Sequence, residues 1–304
     1  NHGTGLAGLA GFGDLVEILA SAMPIAVSHR LESVKLIQED GGNEGDAKLH
    51  AYLFGEAVSR PEISAPDRPR VFTSAVTASD YRDRGRPSSW SATVDRLASD
   101  ADGSGQFPRL FVLSAGNTHD PAAWLQYPDS LATNLIHDPG QAWNALTVGA
   151  CTTKTETEVP ALTAIAQAGG LSPHTTSSRT WDPVWPLKPD VVMEGGNVGK
   201  DALGAVSVSS LDLLTTHYRP QERLFTTTNA TSAASALCAR MAAQLMAAYQ
   251  NLRPETIRAL IAHSAEWTDV MRQMYLPTNK AATKSDYVHL IRHFVTNFMQ
   301  NFFA

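Results

Sequence analysis

Short apolar runs of strand length alternate with longer helical patterns along most of this 304-residue chain, and that rhythm is what most restricts its fold. Compact apolar runs bounded by turn residues read as buried strands, and apolar residues recurring every three or four positions read as helix faces. The pattern predicts helices over 4–20, 50–59, 89–98 and 232–249, with Pro254 opening another because proline fits a first helical turn. Leu6, Leu9, Leu15, Ile18 and Leu19 are available to face a sheet from the first of these. Strands are predicted at 31–37, 70–77, 109–114, 144–150, 189–193 and 226–228, with a turn at Asp40-Gly41-Gly42-Asn43 and a polar surface loop over 79–89. Strand–helix–strand alternation predicts an α/β domain around a mostly parallel sheet. Beyond about Thr268 the alternation stops, and the amphipathic stretch 286–303 is expected to be a terminal helix docked on the core.

Several functional classes are excluded before any motif is considered. A hydrophobic share of 43% with 18% charged residues suits a folded domain and not general disorder. A formal net charge of -6 gives no electrostatic reason to expect nucleic acid. No window approaches the roughly 18 consecutive apolar residues of a membrane span. Cys151 and Cys238 are the two cysteines, neither a disulfide framework nor a C-x-x-C metal pair, so a reducing, cytoplasmic setting is expected. Histidines at H-E-x-x-H spacing do not occur, and no metal or cofactor is expected.

Three motifs carry candidate chemistry. His2-Gly3-Thr4-Gly5-Leu6-Ala7-Gly8 puts a histidine at the entrance of a helix rich in small residues. Neutral imidazole near pH 7 can take a nucleophile's proton and return it later. The same residues imitate the dinucleotide pattern G-x-G-x-x-G at Gly3, Gly5 and Gly8, with Glu39 and Asp40 as candidate ribose ligands, but those acids stand too far along. Leu113-Ser114-Ala115-Gly116-Asn117 closes an apolar strand. Its amide can donate to charge developing on a carbonyl oxygen, although Gly-Asn is also a common turn. Thr227-Thr228-Asn229-Ala230-Thr231-Ser232 leads into a helix whose free N–H groups favour negative charge, so Ser232 is either a nucleophile or, with Thr231, a cap. Lys188-Pro189-Asp190-Val191 reads as a rigid entry to a buried strand. Gly199-Lys200 is not a phosphate loop, and no G-x-S-x-G occurs.

Taken in order, these stretches resemble the subtilase family of serine peptidases. That family reads H-G-T-H-x-A-G, then A-A-G-N or S-A-G-N, then K-P-D-[IV], then G-T-S-M-A. Ser33-Val34-Lys35-Leu36 and Ala145-Leu146-Thr147-Val148-Gly149-Ala150 are similar to further family segments. The resemblance spans about residues 2–268 and implies a three-layer α/β fold with a C-terminal extension over 269–304. It implies an endopeptidase with His2 as general base, Asn117 in the oxyanion site and Ser232 as the nucleophile that forms the acyl-enzyme. Ser74, Ala75 and Val76 would pair with an extended peptide or protein substrate, and Ser114, Ala115 and Gly116 would line the opposite side of the cleft. A divergent bacterial, intracellular branch is the closest placement.

The departures from the family pattern are specific. Gly5 stands for the second histidine, Ala230 for the Gly before Thr-Ser, Ala233 for the Met and Glu194-Gly195-Gly196 for Ala-Pro-Gly. The family's aspartate ends a strand upstream of the histidine, where Asn1 alone stands in this sequence, so a chain beginning after its first strand is expected. Asp14 lies a long helix-length away and is expected to face elsewhere. The alternative function is a peptide-binding or inactive remnant with an incomplete triad.

Overall fold

The computed structural model describes residues 2–21, 24–36, 50–79, 83–277 and 281–283. In chain order its helices are α1 (His2–Phe12), α2 (Leu15–Ala20), α3 (His50–Ser64), α4 (Ser89–Ala98), α5 (Pro121–Leu125), α6 (Ala230–Ala248), α7 (Pro254–Ser264) and α8 (Asp269–Tyr275). Its strands are β1 (Val71–Ser74), β2 (Leu110–Ser114), β3 (Leu146–Thr152), β4 (Thr163–Ala164), β5 (Gly170–Leu171), β6 (Val191–Glu194), β7 (Gly199–Lys200), β8 (Ala205–Val206), β9 (Leu213–Thr216) and β10 (Phe225–Thr228). The expected turn at Asp40 to Asn43, the acids Glu39 and Asp40, and the helix over 286–303 lie outside the described residues.

The central sheet runs β1-β2-β3-β6, all parallel, with β5 added antiparallel at the end of β3. Period-two alternation sends successive side chains of β2 to opposite faces. Leu110 and Val112 join a core with Val148 and Val191 and with Ala234, Cys238 and Leu245 of α6. Phe111 and Leu113 join Phe54 and Val58 of α3 and Trp90 and Val94 of α4 on the other face. The result is a three-layer α/β fold, as the sequence reading expects. Burial of both faces explains why β2 reads as an apolar run closed by Ser114, and it leaves Thr147 and Thr152 of β3 buried as well.

Local chemistry explains the elements that match closely. Ser88 accepts from the Ser91 N–H at 2.9 Å while the Ser91 hydroxyl accepts from the Ser88 N–H at 2.9 Å, a capping box that starts α4. Lys188 is fully buried, and its ammonium reaches the Asp190 carboxylate at 2.6 Å and the Ala145 carbonyl at 3.0 Å. Asp190 also takes the Thr147 N–H at 2.7 Å, so the Lys-Pro-Asp stretch joins β3 to β6, consistent with a structural role.

Two expectations need correction. The helix expected over 4–20 is two helices. Gly13, at φ +86°, takes a left-handed conformation that stops α1, and Asp14 caps α2 by accepting the Val16 N–H at 3.1 Å. Leu9 and Leu15 are buried as expected, but Leu19 is 55% exposed. The strand expected over 31–37 is not formed in its described part, 31–36. Strand hydrogen bonds need a neighbour, and among the described residues no strand pairs with this segment. Leu31 and Val34 therefore remain 51% and 42% exposed, and Glu32 ties the segment to Arg68 and Arg70 at 2.6 and 2.7 Å.

α1 packs along α6 and against the antiparallel β9–β10 hairpin. Gly8 is what allows that approach. A Cβ there would run into the Thr215 and Thr216 hydroxyls and lie 3.0 Å from the Thr216 backbone nitrogen. Of the three glycines that imitate a dinucleotide fingerprint, Gly5 and Gly8 thus serve close helix–hairpin packing, and Gly3 does not.

Candidate active site

Asn117 follows β2 by three residues and reaches the first turn of α6. Its Oδ1 accepts the Thr231 N–H at 2.8 Å and lies 2.6 Å from the Thr231 hydroxyl. An N–H can donate to an oxygen but not to an amide NH2, so this contact fixes which way the Asn117 amide points. Its Nδ2 donor is consequently turned away from Thr231. The Thr231 hydroxyl also lies 3.0 Å from the Gly116 carbonyl and accepts the Gly116 N–H at 3.2 Å, locking the strand end to the helix start.

Ser232 is the third residue of α6 and is 3% exposed. At that position its backbone N–H has no partner within the helix and adds to the positive end of the helix dipole. Ala230, the first residue, sits at φ +66°, left-handed backbone that favours glycine. Its N–H donates to the Gly195 carbonyl at 2.6 Å, and a Cβ on Gly195 would lie 2.9 Å from the Ala230 carbonyl oxygen. The substituted Glu194-Gly195-Gly196 turn therefore supports the serine's helix directly.

His2 opens α1, the helix that packs along α6, and is largely exposed. Its ring is screened enough that partial burial lowers its pKa below the ordinary 6.5. Among the described residues, neither the His2 imidazole nor the Ser232 hydroxyl has a hydrogen-bond partner, and no carboxylate bonds His2. Asp14 is committed elsewhere: it accepts from Val16 and Leu214 N–H groups and pairs with Lys154 at 2.8 Å. The expectation that Asp14 faces away from His2 agrees with these contacts.

Ser74, Ala75 and Val76 run off the end of β1, and Ser74 sits opposite Leu113 in the ladder, so they neighbour Ser114, Ala115 and Gly116. Gly116, at φ +95°, must be glycine for a second reason: a Cβ would occupy the space of the His137 ring. His137 is brought there because its N–H donates to the Ala115 carbonyl at 2.9 Å and because Ala78 and Asp138 form a β-bridge. Its Nδ1 lies 3.3 Å from the Thr77 hydroxyl. Beside Asn117 opens a pocket of about 360 Å³ whose lining includes Ser79, His119, Asp120, Asn134 and His137. The sequence reading missed this pocket, because 20 residues separate His137 from Asn117 and no local pattern links them.

Other buried titratable groups stand nearby. His174 is held to about 4, chiefly by burial and then by the neighbouring His119. Burial raises Asp138, opposed by hydrogen bonds from Ser88 and Gln141, and raises Asp212, opposed first by one from Asn229. Among the described residues no group of three or more His, Cys, Asp or Glu could hold a metal ion, and no helix is long and apolar enough to cross a membrane.

The model described as "Subtilase family" matches residues 1–292 of this chain. An uncharacterized protein, y4bN, of Sinorhizobium fredii (strain NBRC 101917 / NGR234) is 28% identical over 234 residues, covering 67% of this chain and 47% of that protein. The chain thus spans about half the length of that relative. Among solved structures it is similar to a cold adapted subtilisin-like serine proteinase (TM-score 0.49) and to a lanthipeptide protease (TM-score 0.48). Each is 16% identical, with 87% of this chain and 67% of the other covered.

Proposed function

The chain belongs to the subtilase family of serine peptidases, and from that premise we propose that it hydrolyses peptide bonds through an acyl-enzyme on Ser232. The observation that carries the reading is the pinning of the Asn117 amide to the helix start that bears Ser232. In this reading the Ser232 hydroxyl oxygen attacks the substrate carbonyl carbon and its proton passes to the His2 imidazole. The oxyanion that forms receives hydrogen bonds from Asn117 Nδ2 and the Ser232 N–H. Such a side-chain donor is typically worth about 3–4 kcal/mol of transition-state stabilisation. Collapse of the intermediate breaks the C–N bond, and His2 returns the proton to the leaving amine. Water, deprotonated by the same imidazole, then releases the acyl group and regenerates the serine. The substrate lies extended between residues 74–76 and 114–116, recognised through its backbone.

A second reading is a peptide-binding remnant, favoured by the absence of a carboxylate hydrogen-bonded to His2 among the described residues. A carboxylate normally fixes the base's tautomer and stabilises its cation. Its loss costs about 3 × 10⁴ in kcat, a magnitude borrowed from another member of the family. Incubation of the chain with a denatured protein substrate separates the two. Acyl transfer predicts fragments that Ser232→Ala does not produce. Binding of peptides without any fragment supports the remnant, and equal fragmentation by both proteins contradicts Ser232 as nucleophile.

A further inference from the structure

Ala230 turns the chain from β10 into α6 with a left-handed backbone, φ +66°, and Ser232 follows in the same helical turn. A residue with a Cβ keeps that conformation only where its surroundings over-determine it. Two contacts hold the Ala230 turn. The Ala230 N–H donates to the Gly195 carbonyl at 2.6 Å. Asn229, the residue before it, donates from its side-chain Nδ2 to Asp212 Oδ1 at 2.9 Å and to the Ser207 hydroxyl at 3.0 Å. The Asn229 side chain makes no capping bond to α6, so its amide serves this anchor and not the helix end.

Asp212 is the fixed partner of that pair. It stands at the entrance to β9 between the fully buried Leu211 and Leu213, and is itself buried. Its N–H donates to the Ser209 carbonyl at 3.2 Å, and the Leu211 carbonyl accepts from the Asn197 N–H at 2.9 Å. Gly196 fills the space alongside: a Cβ there would lie 3.2 Å from the Asn229 Cβ and 3.5 Å from the Asp212 Cα. A carboxylate taken out of water must be hydrogen-bonded. Asn229 and Thr227 supply those bonds, whereas Lys154, which acts on Asp212 through space, pairs with Asp14 at 2.8 Å. The buried carboxylate therefore draws Asn229 to one place, and that place sets where α6 begins.

We infer that Asp212 is a positioning residue for the reaction of Ser232: through Asn229 it keeps Ala230 in the left-handed conformation that starts α6, and so fixes where the Ser232 hydroxyl meets the scissile carbonyl. The inference rests on the acyl-transfer reading above. Asp212 bonds to Asn229 and Thr227, not to the segments 74–76 and 114–116 that hold the substrate in that reading, so binding should be spared. The test is a double-mutant cycle on peptide hydrolysis, with rates expressed per fluorophosphonate-titrated site so that misfolded protein is not counted. Asp212→Ala should lower kcat by about tenfold to a hundredfold with KM changed less than about threefold, the scale on which a small misplacement of a reacting group acts. In the Ala230→Gly background, where a left-handed backbone is adopted freely, the same substitution should lower kcat less than about threefold. Asn229→Ala breaks the contact from the other side and should show the same rescue, which keeps the cycle readable if Asp212→Ala fails to fold. Unchanged kcat, an equal loss in both backgrounds, or a rise in KM with kcat kept overturns the positioning role and leaves acyl transfer standing. Absence of any Ser232-dependent hydrolysis by the wild type removes both.

Discussion

The Oδ1 of Asn117 and the backbone N–H of Thr231 are 2.8 Å apart, across 114 residues of sequence. That one contact couples the end of a buried strand to the helix that presents Ser232, and it leaves the other half of the amide free to donate. Asn117→Ala should lower kcat for peptide hydrolysis by roughly 10²–10³ with little change in KM, because the donor acts on charge present in the transition state alone. Thr231→Val removes the 2.6 Å hydroxyl contact but keeps the backbone one, so a smaller fall is expected. Unchanged kcat in Asn117→Ala would make Asn117 a turn residue.

Ala230 holds a left-handed backbone that costs a residue with a Cβ roughly 1–2 kcal/mol. Ala230→Gly relieves that cost but adds unfolded-state entropy, so a net gain of about 1 kcal/mol is expected. Urea titration reads it directly. A loss of stability would mean that packing of the Ala230 methyl outweighs the backbone strain.

Gly8 and Gly3 make a matched pair on one helix. Gly8→Ala puts a methyl into the Thr215 and Thr216 side chains, whereas a Cβ on Gly3 meets nothing within 4 Å. Overpacking typically costs 1–3 kcal/mol, against about 1 kcal/mol gained in helix propensity. Gly8→Ala should therefore destabilise and Gly3→Ala should be neutral or stabilising, as thermal melts would show. Equal behaviour of the two variants would contradict the close helix–hairpin approach.

The same pair shows what was legible in the sequence. Helix α4 could be read from residues 89–98 because its apolar spacing is local. The parallel sheet followed from the alternation of strand and helix patterns. The segment 31–36 carried a similar signal and forms no strand, because strand formation depends on a partner that periodicity cannot supply. The break between α1 and α2 hinges on the Gly13 backbone, which looks permissive within a run of small residues. Ser232 and Asn117 were found by pattern, but His137 and Asn134 were not, since nothing near them in sequence announces the Ala78–Asp138 bridge that folds them beside Asn117.

His174 gives the fold a defined sensitivity to acid. It is buried with its edge against Trp124, ring centroids 5.2 Å apart, and neither ring nitrogen has a hydrogen-bond partner. Its folded pKa of about 4 lies below the unfolded value of 6.5, so below pH 6.5 the unfolded chain binds a proton that the folded one refuses. Stability present above pH 6.5 should fall as pH drops towards 4, by about 3 kcal/mol from this group. Below pH 4 its contribution levels off. Urea titrations of wild type and His174→Phe at pH 7, 5.5 and 4 should converge or cross in that window. Parallel curves would show that His174 is not held neutral.

The central claim is that Ser232 is a nucleophile, and the site of covalent attachment by a fluorophosphonate probe tests it most directly. Mass-spectrometric mapping should place the adduct on Ser232. Ser232→Ala should abolish labelling, while Ser235→Ala, whose hydroxyl only donates to the Ser232 carbonyl at 2.8 Å within the helix, should retain it. An adduct on any other residue, or equal labelling of wild type and Ser232→Ala, would contradict the account.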